Sequence, residues 1–322
     1  MKLAYALEYV SLFCNSLPIV ASFILIFLCF GLGFAFRSAK IFPENTAAVL
    51  NRFVIYISLP AITLLQIHRL RFGPEVWLPI SMPWILYAIG AIFFLLVGKI
   101  LKLAPKTIGT LILTGSLGNT SFVGFPLIEA LYGPQALPTG ILVDQPGSFL
   151  VAGTLGILTA AAFSGSRIQW QTILKKVFTF PPFLALVLAI LLKPLAYPES
   201  FNQILDRLGS TLIPLSLVSV GAQMHFDRQR LRKVLQPLSV GLVFKLLLAP
   251  LFFYLLYVCI LHQGGEVALV TLIESAMAPM ITAGIIAHEY GLDTELSNLM
   301  VGIGIPISLV TVPLIAFLLK FR

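Results

Sequence analysis

The sequence predicts an all-α polytopic membrane protein of ten transmembrane helices in two inverted five-helix repeats, with helices 4 and 9 broken and crossed. Three observations carry that expectation. Of 322 residues, 58% are hydrophobic and only 11% charged, a balance that belongs to chains living in lipid. Ten apolar segments follow one another with short polar breaks, each near the roughly 20 residues that a hydrocarbon layer of about 30 Å demands. Two sequence blocks also recur at one spacing, and the helices between them set their relative orientation.

The segments lie near 14–36, 47–67, 76–98, 107–131, 138–163, 179–195, 204–224, 235–261, 266–287 and 297–319. They consume most of the chain and leave no room for a soluble domain. Helix 1 begins within MKLAYALEYVSLFCNSLPIV, which carries one Lys and an early Glu8 and continues as an apolar run to Phe36. That pattern fits an uncleaved first helix better than a cleaved signal peptide. Cys14, Cys29 and Cys259 fall in apolar segments without C-x-x-C spacing, which reads as buried thiols rather than disulfides or metal ligands.

Basic residues orient the helices. The connections after helices 1, 3, 5, 7 and 9 hold twelve: Arg37, Lys40, Lys99, Lys102, Lys106, Arg167, Lys175, Lys176, Arg228, Arg230, Arg232 and Lys233. The opposite side holds six: Lys2, Arg69, Arg71, Lys193, Lys320 and Arg322. Positive residues favour the cytoplasmic side, so both termini are expected outside the cytoplasmic (inner) membrane. The net charge of +8 is then a topology signal, and no nucleic acid partner is expected.

Helix 2 reads LNRFVIYISLPAITLLQIH from Leu50, and helix 7 reads LDRLGSTLIPLSLVSVGAQMH from Leu205. Arg52 and Arg207 are 155 residues apart, and Pro60 and Pro214 are 154 apart. The same spacing carries Asn119 onto Glu274 and Gly124 onto Pro279. Five helices per half is an odd number, so the second half is inverted, an arrangement typical of secondary transporters. The halves are residues 1–163 and 179–322, joined by a cytoplasmic linker at 164–178.

Helix 4 contains GSLGNTSFVGFP, Gly115 to Pro126, crowded with small, polar and helix-breaking residues. Pro126 removes a donor and clashes with the turn before it, and the glycines loosen the rest. Backbone groups freed in hydrocarbon cost several kcal/mol each, so such a break persists only where it lines a protein cavity. Asn119, Thr120 and Ser121 supply polar groups there, and Glu274, Ser275 and Pro279 are their counterparts in helix 9. Crossed half-helices point partial positive charge from their N-termini into the site. Asn119, Thr120, Ser121, Pro126, Ser275 and Pro279 are therefore the expected substrate site. Amide and hydroxyl donors beside positive helix ends favour a small organic anion, a carboxylate foremost. A lone proline such as Pro60 or Pro214 reads as an ordinary kink.

Charged side chains inside spans need partners or water, because a helix-centre charge costs about 2.5 to 3.5 kcal/mol on insertion scales. Asp144 in helix 5 and Glu274 in helix 9 are the expected coupling residues, since a carboxyl held away from water is poised to exchange protons. Sodium held by Glu274 and unwound carbonyls is the rival. Lys245 in helix 8 is a charge partner, structural or functional. Glu129, Arg52 and Arg207 are near helix ends and reach interfacial water.

GNTSFVGFPLIEALYG in helix 4, ESAMAPMITAGIIAHEYGLD in helix 9 and the proline-rich GIGIPISLVTVPLIAFLL of helix 10 together resemble the auxin efflux carrier family, whose bacterial members are often malate or malonate permeases. The resemblance spans nearly the whole chain. It implies a fold like that of the bile acid symporters and sodium/proton antiporters, with a scaffold and a transport domain built on crossed helices 4 and 9. The short linker suits a bacterial member.

Enzyme classes find no support. The four histidines lie at helix ends or in loops, no protease dyad stands at membrane depth, and Gly302-Ile-Gly304 lacks the third glycine of a dinucleotide site. No P-loop is present to hydrolyse ATP, so energy must come from a gradient. No cofactor is expected beyond a coupling proton or sodium ion, and the partners are the organic anion, the lipid bilayer and, as a possible assembly, a second copy in a homodimer. A sodium/proton exchanger is the nearest alternative, although Asp144 is followed by Gln145 rather than a second acid. A receptor or channel is the non-transporting one.

Overall fold

The computed structural model describes residues 2–70, 73–166, 170–224 and 234–320, and every regular element among them is a helix. Arg71, Arg167, His225, Arg228, Arg230, Arg232, Lys233 and Arg322, used in the topology and repeat arguments, lie outside the described residues. Among the described residues, seven helices are long and apolar enough to cross a membrane: Ile19–Ser38, Thr46–Arg69, Pro74–Ile100, Pro134–Ser164, Glu199–Ala222, Leu235–Ile260 and Thr294–Leu319. They answer to the expected helices 1, 2, 3, 5, 7, 8 and 10. Helix 6 is the shorter apolar Pro181–Leu191. Helices 4 and 9 each come as two limbs, Pro105–Ser116 and Phe125–Tyr132 in the first, Gly265–Ser275 and Ile281–Glu289 in the second. A short helix, Trp170–Phe178, occupies the linker.

Proline positions explain much of the local geometry. Pro60, Pro126 and Pro250 each sit in the first turn of a helix that follows a wider π turn, at Val54–Ser58, Thr120–Gly124 and Phe244–Leu248. A proline cannot donate to the turn before it, and one extra residue in that turn relieves the clash with the unpaired carbonyl. Pro105 begins the first limb of helix 4 after an extended Ala104, where its missing N–H costs nothing.

Helices 1, 2, 6 and 7 pack on one another, and helices 3, 4, 5, 8, 9 and 10 form a second group. The groups meet where helices 1 and 7 touch the second half of helix 4, and where helices 2 and 6 touch helix 5. Helices 1 and 7 approach backbone to backbone: a Cβ on Gly33 would lie 2.1 Å from the Val218 carbonyl oxygen, and one on Gly221 would lie 2.1 Å from that of Phe30. Small residues allow such contact where no hydrophobic force drives helices together. Outward faces are apolar, as with Ile24 and Leu28 on helix 1 and Leu314 and Leu318 on helix 10. Cys29 is buried as expected, whereas Cys259 is exposed on that outer surface, because apolar segments in lipid turn hydrophobes outward as well as inward. Arg52 and Arg207 are exposed, in keeping with charges that reach the interface.

Candidate functional site

Helix 4 breaks before its proline. The first limb ends at Ser116, Leu117 is extended (φ −101°, ψ 127°), and Asn119 (φ −81°, ψ 69°) leads into the π turn. Pro126 instead opens the second limb. The interruption falls among Gly115, Ser116 and Gly118, ahead of the proline. In helix 9 the first limb stops at Ser275 and Met280 is extended (φ −70°, ψ 130°) ahead of the second.

The two interruptions cross antiparallel, with Gly118 paired to Pro279. Asn119 donates its backbone N–H to the Ala278 carbonyl over 2.8 Å, and Met280 donates to the Leu117 carbonyl over 3.0 Å. Each broken helix therefore satisfies backbone groups of the other, which is what makes unwound chain tolerable inside a membrane protein.

These two hydrogen bonds are related by a local two-fold that carries Asn119 onto Met280 and Leu117 onto Ala278, a separation of 161 residues (280 − 119). At the crossing Asn119 faces Ala278, whereas the spacing of 155 aligns it with Glu274. Helix starts are separated by 153 residues from Thr46 to Glu199, 161 from Pro74 to Leu235 and 160 from Pro134 to Thr294. The chain between Ala222 and Leu235 has 12 residues where that between Arg69 and Pro74 has 4.

A cavity of about 440 Å³ opens at the crossing. Asn119, Ser121 and Phe122 line it from the start of the second part of helix 4, and Met280, Ile281 and Thr282 from the start of the second limb of helix 9. Two helix N-termini therefore face one space, each contributing partial positive charge. Asp144, Asn51 and Glu289 add polar groups, and Ile55, Leu59, Phe149, Phe180 and Ile285 make apolar walls. Asn119 caps the π turn by accepting the Phe122 N–H on Oδ1 at 3.2 Å. Its Nδ2 is buried without a partner, although amide donors in cores are nearly always paired.

Asp144 is buried and accepts the Thr120 hydroxyl at 2.7 Å. It starts a π turn, Asp144–Phe149, a distortion frequent at functional sites. Gln145 donates to Thr63 Oγ1 at 2.6 Å, tying helix 5 to helix 2 across the boundary between the two helix groups. Lys245, fully buried, donates to the Ser275 carbonyl at 3.1 Å. Glu274 is fully buried with neither oxygen hydrogen-bonded.

Of the residues expected to form the site, the structure brings Asn119, Ser121 and Asp144 to the cavity, and Thr120 holds Asp144. Pro126, Ser275 and Pro279 shape the crossing rather than line the cavity, with the Ser275 hydroxyl spent on the Leu272 carbonyl at 2.6 Å. Glu274 and Lys245 also lie outside that lining. Sequence reasoning missed Asn51, Phe149, Phe180, Met280, Thr282 and Glu289. Asn51 stood in the repeated LNRF block and accepts a hydrogen bond from Ser219 of helix 7. The apolar wall residues carry no signal in a chain so rich in them.

The model of the membrane transport protein family matches residues 18–316. An uncharacterized transporter of Methanocaldococcus jannaschii is 27% identical over 296 residues, covering 89% of this chain and 94% of that protein. An uncharacterized transporter of Methanothermobacter thermautotrophicus is 26% identical over 307 residues, covering 94% of this chain and 98% of its own. The match runs through both broken helices and every residue of the cavity between them, and the chain belongs to the membrane transport protein family, the auxin efflux carrier family that its helix 4 and helix 9 motifs resemble.

Proposed function

We propose that this protein is a secondary transporter that moves a small organic anion, a carboxylate foremost, across the cytoplasmic membrane, driven by a proton or sodium gradient. The observation that carries the reading is Asn119: a buried, unpartnered amide donor on a cavity into which two helix N-termini open. A carboxylate accepts from such a donor and is stabilised by both helix ends, while apolar walls exclude water and suit a short carbon skeleton. Alternating access follows from the two helix groups: helices 3, 4, 5, 8, 9 and 10 carry the site as one body past helices 1, 2, 6 and 7, in the manner of an elevator. Two broken helices, the fourth and the ninth, crossing each other support two inverted five-helix repeats, and the basic bias supports termini outside.

The deciding experiment is a thermal-shift panel on purified protein with mono- and dicarboxylates, amino acids and neutral nucleosides, at two pH values, with and without sodium. Carboxylates are expected to stabilise. Stabilisation by cations or neutral solutes alone would remove the reading. Counterflow in proteoliposomes then separates a carrier from a receptor, because only a carrier exchanges labelled for unlabelled substrate. One observation favours a second reading, a sodium/proton exchanger: Asp144 lines the same cavity and offers a cation a carboxylate.

A further inference from the structure

Three ionisable side chains are buried around the crossing, Asp144 at 3% exposure and Lys245 and Glu274 at 0%. Asp144 has Thr120 and Lys245 has the Ser275 carbonyl. Glu274 has no hydrogen-bond partner for either oxygen. An ionised carboxylate sealed from water in that condition is far costlier than the neutral acid. From helix 4 it meets Gly124, where a Cβ would stand 2.6 Å from Oε2. Two charged groups act on it through space, Lys245 of helix 8 in attraction and Asp144 of helix 5 in repulsion. Among the described residues, helices 3 and 10, also packed against this limb, add no charged group to these two.

We propose that Glu274 is the proton-binding residue of this transporter, taking up one proton from one side of the membrane with each anion held at the crossing and releasing it to the other. The inference rests on the anion reading above and assigns the ion that reading leaves open. A metal cation needs a shell of oxygen ligands and room for itself, whereas the Glu274 carboxyl is pressed against Gly124 and does not line the cavity at the crossing. A proton needs neither.

An ionised Glu274 adds one negative charge at the crossing and a protonated one adds none, on top of whatever Asp144, Lys245 and the cavity-lining Glu289 carry. An anion at Asn119 is repelled more by the first state than by the second, so proton and anion bind with positive coupling. The charge also has a mechanical route to the site. Lys245 Nζ would touch a Cβ on Gly118 at 3.1 Å, next to Asn119, and its hydrogen bond goes to the helix 9 limb end. An ionised Glu274 competes for that ammonium against the Ser275 carbonyl and so biases the crossing between two arrangements.

The test uses the full chain in proteoliposomes. Infrared difference spectra across a pH titration are expected to show the carbonyl stretch of a protonated carboxyl that is lost in Glu274→Gln and kept, at a shifted position, in Glu274→Asp. Malonate, over a range in which it does not itself titrate, is expected to bind about tenfold more tightly on the acid side in the native protein, with that pH dependence lost in Glu274→Gln. A band that Glu274→Gln leaves unchanged, or one that sodium removes at constant pH, overturns the proposal. The infrared arm needs no substrate. Failure of every carboxylate to bind would therefore strike the anion reading, while the titration still decides whether Glu274 holds a proton.

Discussion

Gly124 bears no side chain at the place where the Glu274 carboxyl lies against helix 4: a Cβ there would stand 2.6 Å from Oε2 and 2.8 Å from Oε1. The backbone at Gly124 is ordinary helix (φ −63°, ψ −56°), so the glycine answers a need for space, not for an unusual conformation.

Gly124→Ala is expected to destabilise the protein. The gain in helix propensity is at most about 1 kcal/mol, and overpacking against a fully buried neighbour costs about 1 to 3 kcal/mol. The check is the thermal midpoint in detergent of Gly124→Ala, Glu274→Ala and the double variant. Contact between the two sites predicts that the penalty of Gly124→Ala is largely relieved when Glu274 is already Ala; strict additivity would refute it.

Thr120 supplies the hydroxyl that Asp144 accepts. Thr120→Val keeps the shape and removes the donor, at an expected cost of about 1 to 3 kcal/mol for leaving a buried acceptor without its partner. Thr120→Ser restores the donor and most of the stability. Equal unfolding midpoints for Thr120→Val and Thr120→Ser would show that the hydroxyl does nothing for Asp144.

Asn119 separates the anion from the cation reading. Asn119→Ala is expected to weaken malonate binding about tenfold, the loss of one hydrogen bond to a charged ligand. Asn119→Asp is expected to abolish it, since a negative charge then occupies the converging helix ends. Isothermal titration decides the sign: a variant Asn119→Asp that binds sodium more tightly and still binds malonate would favour the cation reading.

Orientation can be read from a single engineered thiol. Ser166→Cys, in a protein with Cys14, Cys29 and Cys259 replaced, lies in the connection after helix 5, where Arg167, Lys175 and Lys176 follow. An impermeant thiol reagent is expected to label it only after the cells are permeabilised. Labelling in intact cells would reverse the assignment of sides.

Membrane residence, the positions of most spans and the broken helix 4 were legible in the sequence alone. Each follows from local chemistry: twenty apolar residues bury a helix in lipid wherever they occur, and Gly115 to Gly118 weaken a helix whatever lies beside it. The pairing at the crossing was not legible, because its hydrogen bonds join Asn119 to Ala278 and Met280 to Leu117 across most of the chain's length. Nor was the split between Asn119, whose side chain helps line the cavity, and Glu274, which is sealed against Gly124 outside it. Polarity marks both residues as exceptional in an apolar chain, but which of them meets a ligand and which meets only protein depends on how distant helices pack, and tertiary structure alone decided that.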